Sequence, residues 1–359
     1  MEIEDLGYDN FFEPYRIKLA LDSFQIARVI AEYKEAYKIK NTQGEFLAKI
    51  TGKQLYKVEC REDYPAVGDW VAITQLDKDS AIIHNIFPRK TILKRKYCNK
   101  NESQIIATNL DEAFIVESVG RDYNLNRFER YLTIALDGGI KPVIILNKID
   151  LISSSELNEK LSEIKSRFKN VDLTATSTLT NEGLDQLRNY IKRGKTYCFL
   201  GSSGVGKSSI INNLIGEARI KTEDIGENTG RGKHVTTSRE MYLLENGGIV
   251  IDNPGMREIG MTDVNRGLDI FFDEIAELAK KCKFKDCTHT NEPGCEVLSA
   301  LKSGRLEEEK YSNYINLKKE TEFYKMNKEE KRKKDHNRGK FMKNAKKDLK
   351  KYKHKDFGD

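Results

Sequence analysis

The sequence predicts an α/β multidomain chain, and three observations predict it. Its first third is made of short runs in which apolar and polar residues alternate, its middle alternates strand and helix patterns around a glycine-rich loop, and a compact Cys/His group follows. At 359 residues and 38% hydrophobic content the chain can bury more than one core, so two or three domains are expected.

Between residues 24 and 50, β-branched and aromatic residues recur in bursts broken by the turn NTQGE at 41–45, and further bursts cover 70–74 and 81–86. About five short strands in under about a hundred residues suit a small barrel, and an oligonucleotide-binding β-barrel is expected for residues 1–100. From Glu102 onward the pattern changes. Residues 113–116 are apolar, 125–136 have helical spacing and 142–146 read as a buried strand, which together indicate an α/β nucleotide domain over 101–265.

Within that domain the loop GSSGVGKS, residues 201–208, follows the apolar run 197–200 and opens a helical stretch at 209–215. Strand, loop and helix in that order are the setting in which GxxxxGKS binds phosphate. Gly201, Gly204 and Gly206 let the backbone N–H groups of the loop, including Ser202, Ser203 and Val205, turn toward an anion. The helix N-terminus at Ser208 and Ser209 adds partial positive charge. Lys207 is expected on the β and γ phosphates and Ser208 on Mg²⁺.

The run 142–146 ends in NKID at 147–150, placing polar residues at the carboxyl end of a strand, where open α/β sheets bind ligands. Asp150 can accept hydrogen bonds from N1 and N2 of guanine, donors that adenine does not present there, and so argues for GTP over ATP. Asn147 would tie the base site to the phosphate loop, and the Lys148 stem would pack over the base. A third strand at 248–251 leads into DNPG at 252–255. Asp252 would hold Mg²⁺ through water, and the Gly255 N–H would meet the γ-phosphate. HVTT at 234–237 is where a switch would sit, with Thr236 or Thr237 completing the Mg²⁺ shell when the γ-phosphate is present. In TSTLTNEGL, residues 176–184, the N–H groups of Ser177 and Thr178 could reach guanine O6, or the segment could simply cap a helix.

NKID precedes the phosphate loop, so the usual GTPase order is rotated and the domain reads as a circularly permuted P-loop GTPase. Met256 follows Gly255 where many GTPases place a water-orienting glutamine, so intrinsic hydrolysis is expected to be slow. His234 is the candidate substitute, because imidazole can bond a water as donor or acceptor near neutral pH.

Cys282, Cys287, His289 and Cys295 give C-x4-C-x-H-x5-C, three thiolates and one imidazole that suit a closed, structural zinc site. Cys60, Cys98 and Cys198 stand singly, and six cysteines are too few for a disulfide scaffold in a chain of this length. Residues 318–359 carry 17 Lys and Arg against 8 Asp and Glu, while the rest of the chain carries 45 against 48, so the formal charge of +6 comes from the C-terminal segment. Interleaved with Phe323, Tyr324, Phe341 and Tyr352, that segment reads as a sequence-blind, salt-sensitive binder of phosphate backbones. No apolar run is long enough to span a bilayer and the acidic start is not a signal peptide, so a cytoplasmic protein with no membrane partner is expected.

With PAVGDW at 65–70, then NKID, GSSGVGKSS, KHVTT, DNPG and CKFKDCTHTNEPGC in that order, residues 24–314 resemble the RsgA (YjeQ) family of circularly permuted GTPases of small ribosomal subunit maturation. The resemblance implies the N-terminal barrel, the permuted domain and a zinc-binding helical domain over 266–317; the basic tail 318–359 beyond it rests on the charge count. It implies a monomer that binds GTP and GDP with Mg²⁺ and holds one zinc. GTP hydrolysis would be stimulated by the small (30S) ribosomal subunit, with ribosomal RNA binding and late maturation as the role. It also implies a catalytic part for His234, beside Lys207 and Thr236. Val235 interrupts the step from histidine to threonine, Asn253 stands where a small hydroxyl residue is common, and Thr178 stands where alanine is usual; none removes a phosphate or base contact. The rival readings are a nucleotide-gated RNA-binding scaffold and a permuted GTPase acting on another RNA particle.

Overall fold

The computed structural model describes residues 1–34, 36–52, 60–96, 103–120, 123–216, 240–252, 264–326 and 330. Five strands, β1 (Gln25–Glu32), β2 (Tyr37–Lys40), β3 (Glu45–Ile50), β4 (Trp70–Gln75) and β5 (Ser80–Ile86), close in the order β1-β2-β3-β5-β4-β1, with β3 and β5 parallel. Alternation decides which side chains fill this barrel. Tyr37, Ile39, Phe46 and Ala48 join Val29, Val71, Ile73 and Ile83 in its core, while Lys38, Leu47 and Lys49 lie on the alternate, more exposed positions. The expected barrel is therefore present.

The sequence reading did not anticipate the N-terminal cap. A short helix α1 (Glu13–Lys18) and its flanks set Leu6, Tyr8, Phe12 and Leu21 around Trp70 and Phe87, burying the one tryptophan. A separate hairpin, β6 (Ile92–Lys96) with β7 (Ser103–Thr108), straddles residue 100, where the first domain was expected to end.

The nucleotide sheet runs β10 (Asp172–Thr176), β9 (Lys141–Asn147), β8 (Glu112–Ser118), β11 (Thr196–Leu200), β13 (Ile249–Asp252), β12 (Glu240–Leu243). The first five are parallel and β12 is antiparallel to β13. Its central strands read as unbroken apolar runs because both faces are covered. Residues of α2 (Leu125–Asp137) and α3 (Ser154–Arg167) pack in the core on one face. Those of α4 (Leu184–Tyr190) and α5 (Lys207–Ile215) pack on the other.

Among the described residues four helices follow: α6 (Asn265–Phe271), α7 (Asp273–Ala279), α8 (Glu296–Lys302) and α9 (Glu308–Lys325). Phe272, Ile275, Val297, Tyr314 and Ile315 belong to the same buried cluster as Phe128 and Leu132 of α2, so the C-terminal module and the nucleotide domain share one core. Helix α9 runs past residue 317. Leu317 and Thr321 are buried and Glu320 pairs with Arg130, so the first two turns of the basic segment are a seated helix. Counting charge could not show this, because the anchoring positions are spaced among lysines.

The barrel and the nucleotide domain are also joined through backbone pairing. The first half of β1 pairs with β4 (Gln25↔Ile73 through Arg28↔Trp70), and its far end pairs with β12 at Ala31↔Glu240, so one strand belongs to both sheets. Among the described residues no helix is long and apolar enough to cross a membrane.

Candidate functional site

The site is built at the carboxyl edge of the parallel strands. In register, Asn147 closes β9 beside Ser118 of β8 and Thr176 of β10, while Leu200 closes β11 just before the loop 201–208. The segments 147–150 and 201–208 are therefore neighbours in space although 50 residues or more separate them in the chain.

Asn147 is fully buried and makes the link expected of it. Its Nδ2 donates to the Val205 carbonyl (2.8 Å), and its Oδ1 accepts from the Thr176 hydroxyl (3.0 Å). This contact explains Gly206, whose φ is +98° and where an added Cβ would lie 2.2 Å from the Asn147 amide nitrogen. The same notional Cβ lies 3.8 Å from Lys148 Cε, so the Lys148 stem crosses beside the phosphate loop. Lys148 takes the left-handed backbone conformation, φ +63°, which turns the chain sharply after the strand.

Asp150 is held by the Ser177 hydroxyl, which donates to Oδ1 and accepts from the N–H groups of Leu179 and Thr180 (3.2 Å each). The Ser177 N–H itself donates to the Glu182 carbonyl (2.9 Å). That amide, expected to face guanine O6, is thus committed within its own loop, and the Ser177 hydroxyl fixes the Asp150 carboxylate. Thr176 was not foreseen as a site residue. Only the β9–β10 register brings it to Asn147, and register has no local signature in the sequence.

In the phosphate loop Gly201 (φ +146°) passes so close to β8 that a Cβ would sit 2.1 Å from the Val116 carbonyl oxygen. Val205 is buried in the core beneath the loop, Ser203 and Gly204 are exposed, and Ser202, Ser208 and Ser209 are half-buried. Lys207 opens α5 and its Nζ donates to the carbonyls of Gly201 and Ser202 at 2.6 Å each, curled over the loop where phosphates would pass. Asp252 ends β13 opposite Glu240 of β12. His234, Thr236, Thr237 and Gly255 lie outside the described residues, as do Asn253 and Met256.

The second constellation lies after α7. Cys282, Cys287, His289 and Cys295 place their ligand atoms within 4.8 Å of one another. Cys282 Sγ is 3.8 Å from Cys295 Sγ and 3.7 Å from His289 Nδ1, and Cys295 Sγ is 3.6 Å from His289 Nδ1. A tetrahedron with metal–sulfur bonds of about 2.3 Å has edges of about 3.8 Å, so the four groups fit a tetrahedral ion with no position left open. His289 is buried with φ +65°, and the Tyr311 hydroxyl donates to its carbonyl (2.6 Å). Burial, and after it the charge of Lys318, holds the His289 imidazole below its ordinary value, favouring the neutral ring that binds metals. Cys295 caps α8 and its sulfur accepts the Leu298 N–H (3.4 Å).

A sheet edge that carries NKID at 147–150 and GSSGVGKS at 201–208, met in the reverse of the usual chain order, is that of a circularly permuted GTPase. The model of the family described as RsgA GTPase matches residues 86–262. "Small ribosomal subunit biogenesis GTPase RsgA 2" of Lactiplantibacillus plantarum is 42% identical over 304 residues, covering 84% of this chain and 85% of that protein. A Methanosarcina acetivorans protein, "Small ribosomal subunit biogenesis GTPase RsgA", is 47% identical over 262 residues, 72% of this chain and 70% of its own length. The crystal structure of YjeQ from Thermotoga maritima superposes with a TM-score of 0.60 at 27% identity, covering 82% of this chain and 96% of that one. That of YloQ, a circularly permuted GTPase, has the same TM-score at 23% identity and likewise shares the fold. The chain belongs to the RsgA GTPase family.

Proposed function

We propose that this GTPase acts in maturation of the small ribosomal subunit, and that ribosomal RNA on that subunit is its partner and the subunit the stimulus for hydrolysis. The supporting observation is the co-linearity of barrel, permuted GTPase domain and Cys₃His module with relatives named for that role over most of both chains. The barrel fold and the basic charge of the sequence 318–359 are of the kind that take RNA. A cytoplasmic monomer is the corresponding setting.

Asp150, set by Ser177, reads the guanine edge, with Asn147 and Lys148 framing the base. The loop 201–206 wraps the phosphates, and Ser209 extends the helix N-terminus behind it. Lys207 leaves its carbonyl partners for the β and γ phosphates. Mg²⁺, which neutralises charge developing on those phosphates, would be held by Ser208 and by Thr236 or Thr237, with Asp252 acting through water. His234 orients the attacking water, and Gly255 senses the γ-phosphate. Zinc is the metal that three thiolates and one imidazole in tetrahedral array select, and its role is structural.

The test is GTP turnover by the protein alone, with small subunits and with large subunits. A large increase specific to small subunits is expected, and equal or absent stimulation would remove the assignment. Met256 favours a second reading, a nucleotide-gated scaffold in which turnover is incidental. It predicts that His234→Ala retains function. Base choice is tested separately: Asp150→Asn exchanges an acceptor for a donor and should shift preference to xanthosine triphosphate. Retained GTP affinity in that variant would refute the role given to Asp150.

A further inference from the structure

Arg28 lies in the middle of β1 and is fully buried. Its Nε donates to the Gly68 carbonyl (3.2 Å) in the barrel, and Nη1 donates to the Leu6 carbonyl in the N-terminal cap. In the nucleotide domain, Nη1 also donates to the Thr196 hydroxyl (2.9 Å) and Nη2 to the Asn109 carbonyl (3.2 Å). Gly7, with φ +86°, leaves room for the guanidinium, since a Cβ there would lie 2.7 Å from Nη1. Burial pushes the Arg28 guanidinium down to about 10, which still leaves it charged near neutral pH. A buried cation answered by carbonyls and a hydroxyl is an expensive way to fill space, and its hydrogen bonds fix three segments in one geometry.

What Arg28 holds is connected directly to the site. Thr196 is the first residue of β11, and that strand ends four residues later at Leu200, where the phosphate loop begins. Thr196 is itself fixed by Asp111, whose carboxylate accepts its N–H at 2.8 Å. Three residues along β1 from Arg28, Ala31 pairs with Glu240, which pairs on its other side with Asp252. Among the described residues β1 and β12 meet at this one register pair, and four pairs join β1 to β4. Glu240 also follows Thr237 by only three residues in the chain.

We propose that Arg28 is a positioning residue of the GTPase, and that β1 is the strand through which nucleotide state reaches the barrel. Arg28 fixes the start of β11 relative to the barrel. The Ala31–Glu240 pair is the element that closes when a γ-phosphate is bound and loosens with GDP. Because such coupling is reciprocal, a ligand that stiffens β1 from the barrel side favours the GTP-bound arrangement. This extends the assembly-GTPase reading, but its first test does not depend on that reading.

Arg28→Ala risks unfolding the chain, so the test uses Thr196→Val, which removes one Arg28 bond and leaves the other three. The full-length protein is loaded with GDP or a non-hydrolysable GTP analogue, and amide hydrogen exchange is followed by mass spectrometry. Peptides covering Gln25–Glu32 are expected to exchange about fivefold more slowly with the analogue. Thr196→Val should abolish that difference while both nucleotides still bind within about twofold of wild type, and Thr196→Ser, which keeps the hydroxyl, should retain it. Equal exchange of β1 in the two wild-type states, or an undiminished difference in Thr196→Val, overturns the proposal. Small subunits that stimulate the wild type and not Thr196→Val would add support. A wild type that small subunits fail to stimulate would count against the partner assignment, and the exchange difference would still decide the coupling.

Discussion

Toward the barrel, the nucleotide domain is held mainly by hydrogen bonds, with Val67 adding an apolar contact: Arg28 reaches Thr196 and Asn109, and Ala31 pairs with Glu240. Toward the C-terminal module it is held by apolar contact, with Phe272, Ile275 and Ile315 in one cluster with Phe128 and Leu132. A buried charge network sits over that contact. The Glu129 carboxylate takes Arg167 (2.8 Å) and Asn313, and Arg167 also meets Glu309 of α9 (3.1 Å). The barrel keeps a core of its own, and the module does not. Directional contacts can be exchanged one at a time, whereas a shared core fails as a unit. The barrel junction therefore suits signalling, and the module junction suits holding the nucleotide domain together.

That contrast can be broken most forcefully at the proposed zinc site, Cys282, Cys287, His289 and Cys295. Structural zinc contributes apparent binding free energy on the order of 10 kcal/mol, so chelation or Cys295→Ser should unfold the module and carry the nucleotide domain with it. Calorimetry together with fluorescent GDP binding would show this, and a GDP site that survives metal loss would separate the two. Next in size is Phe272→Ala, a fully buried ring in the shared core. It should cost about 4 kcal/mol and weaken GDP binding along with the module. Ile39→Ala, equally buried but in the barrel core, should cost about 3 kcal/mol and move only the barrel's transition, with GDP affinity unchanged. If Ile39→Ala also weakens GDP binding, the barrel is less separable than its core implies. Smallest is Lys38→Ala, which removes a partly exposed ion pair with Glu45 (2.6 Å) that Lys40 also shares. Its effect on barrel melting should be under about 1 kcal/mol.

Much of this was legible in the sequence, and the reason is local chemistry. Phosphate and guanine sites need contiguous residues at strand ends, so residues 147–150 and 201–208 announced themselves. The doubly covered strands β8, β9 and β11 showed as apolar runs. What stayed hidden depends on distant chain. Thr176 meets Asn147 through sheet register, which no local pattern reports. Arg28 is the clearest case. In QIARVIAE a lone arginine reads as an outward polar position, but β1 is covered on both faces because the cap packs on one side and the barrel core on the other. An alternation rule has nothing to register in such a strand.

The rotated strand order also bears on how the protein is made. During synthesis β8, β9 and β10 emerge in succession and form one half of the sheet, with the Asn147–Thr176 contact already available. The other half is then added outward from the free edge of β8, first β11, then the β12–β13 hairpin, so no strand must be threaded between two that are already paired. The half that carries residues 147–150 thus precedes the half that carries the loop 201–208 off the ribosome, and the two strand ends meet only once β11 arrives. The far end of β1 waits longest for its partner, so the last bond between barrel and sheet forms only when the nucleotide site is nearly complete.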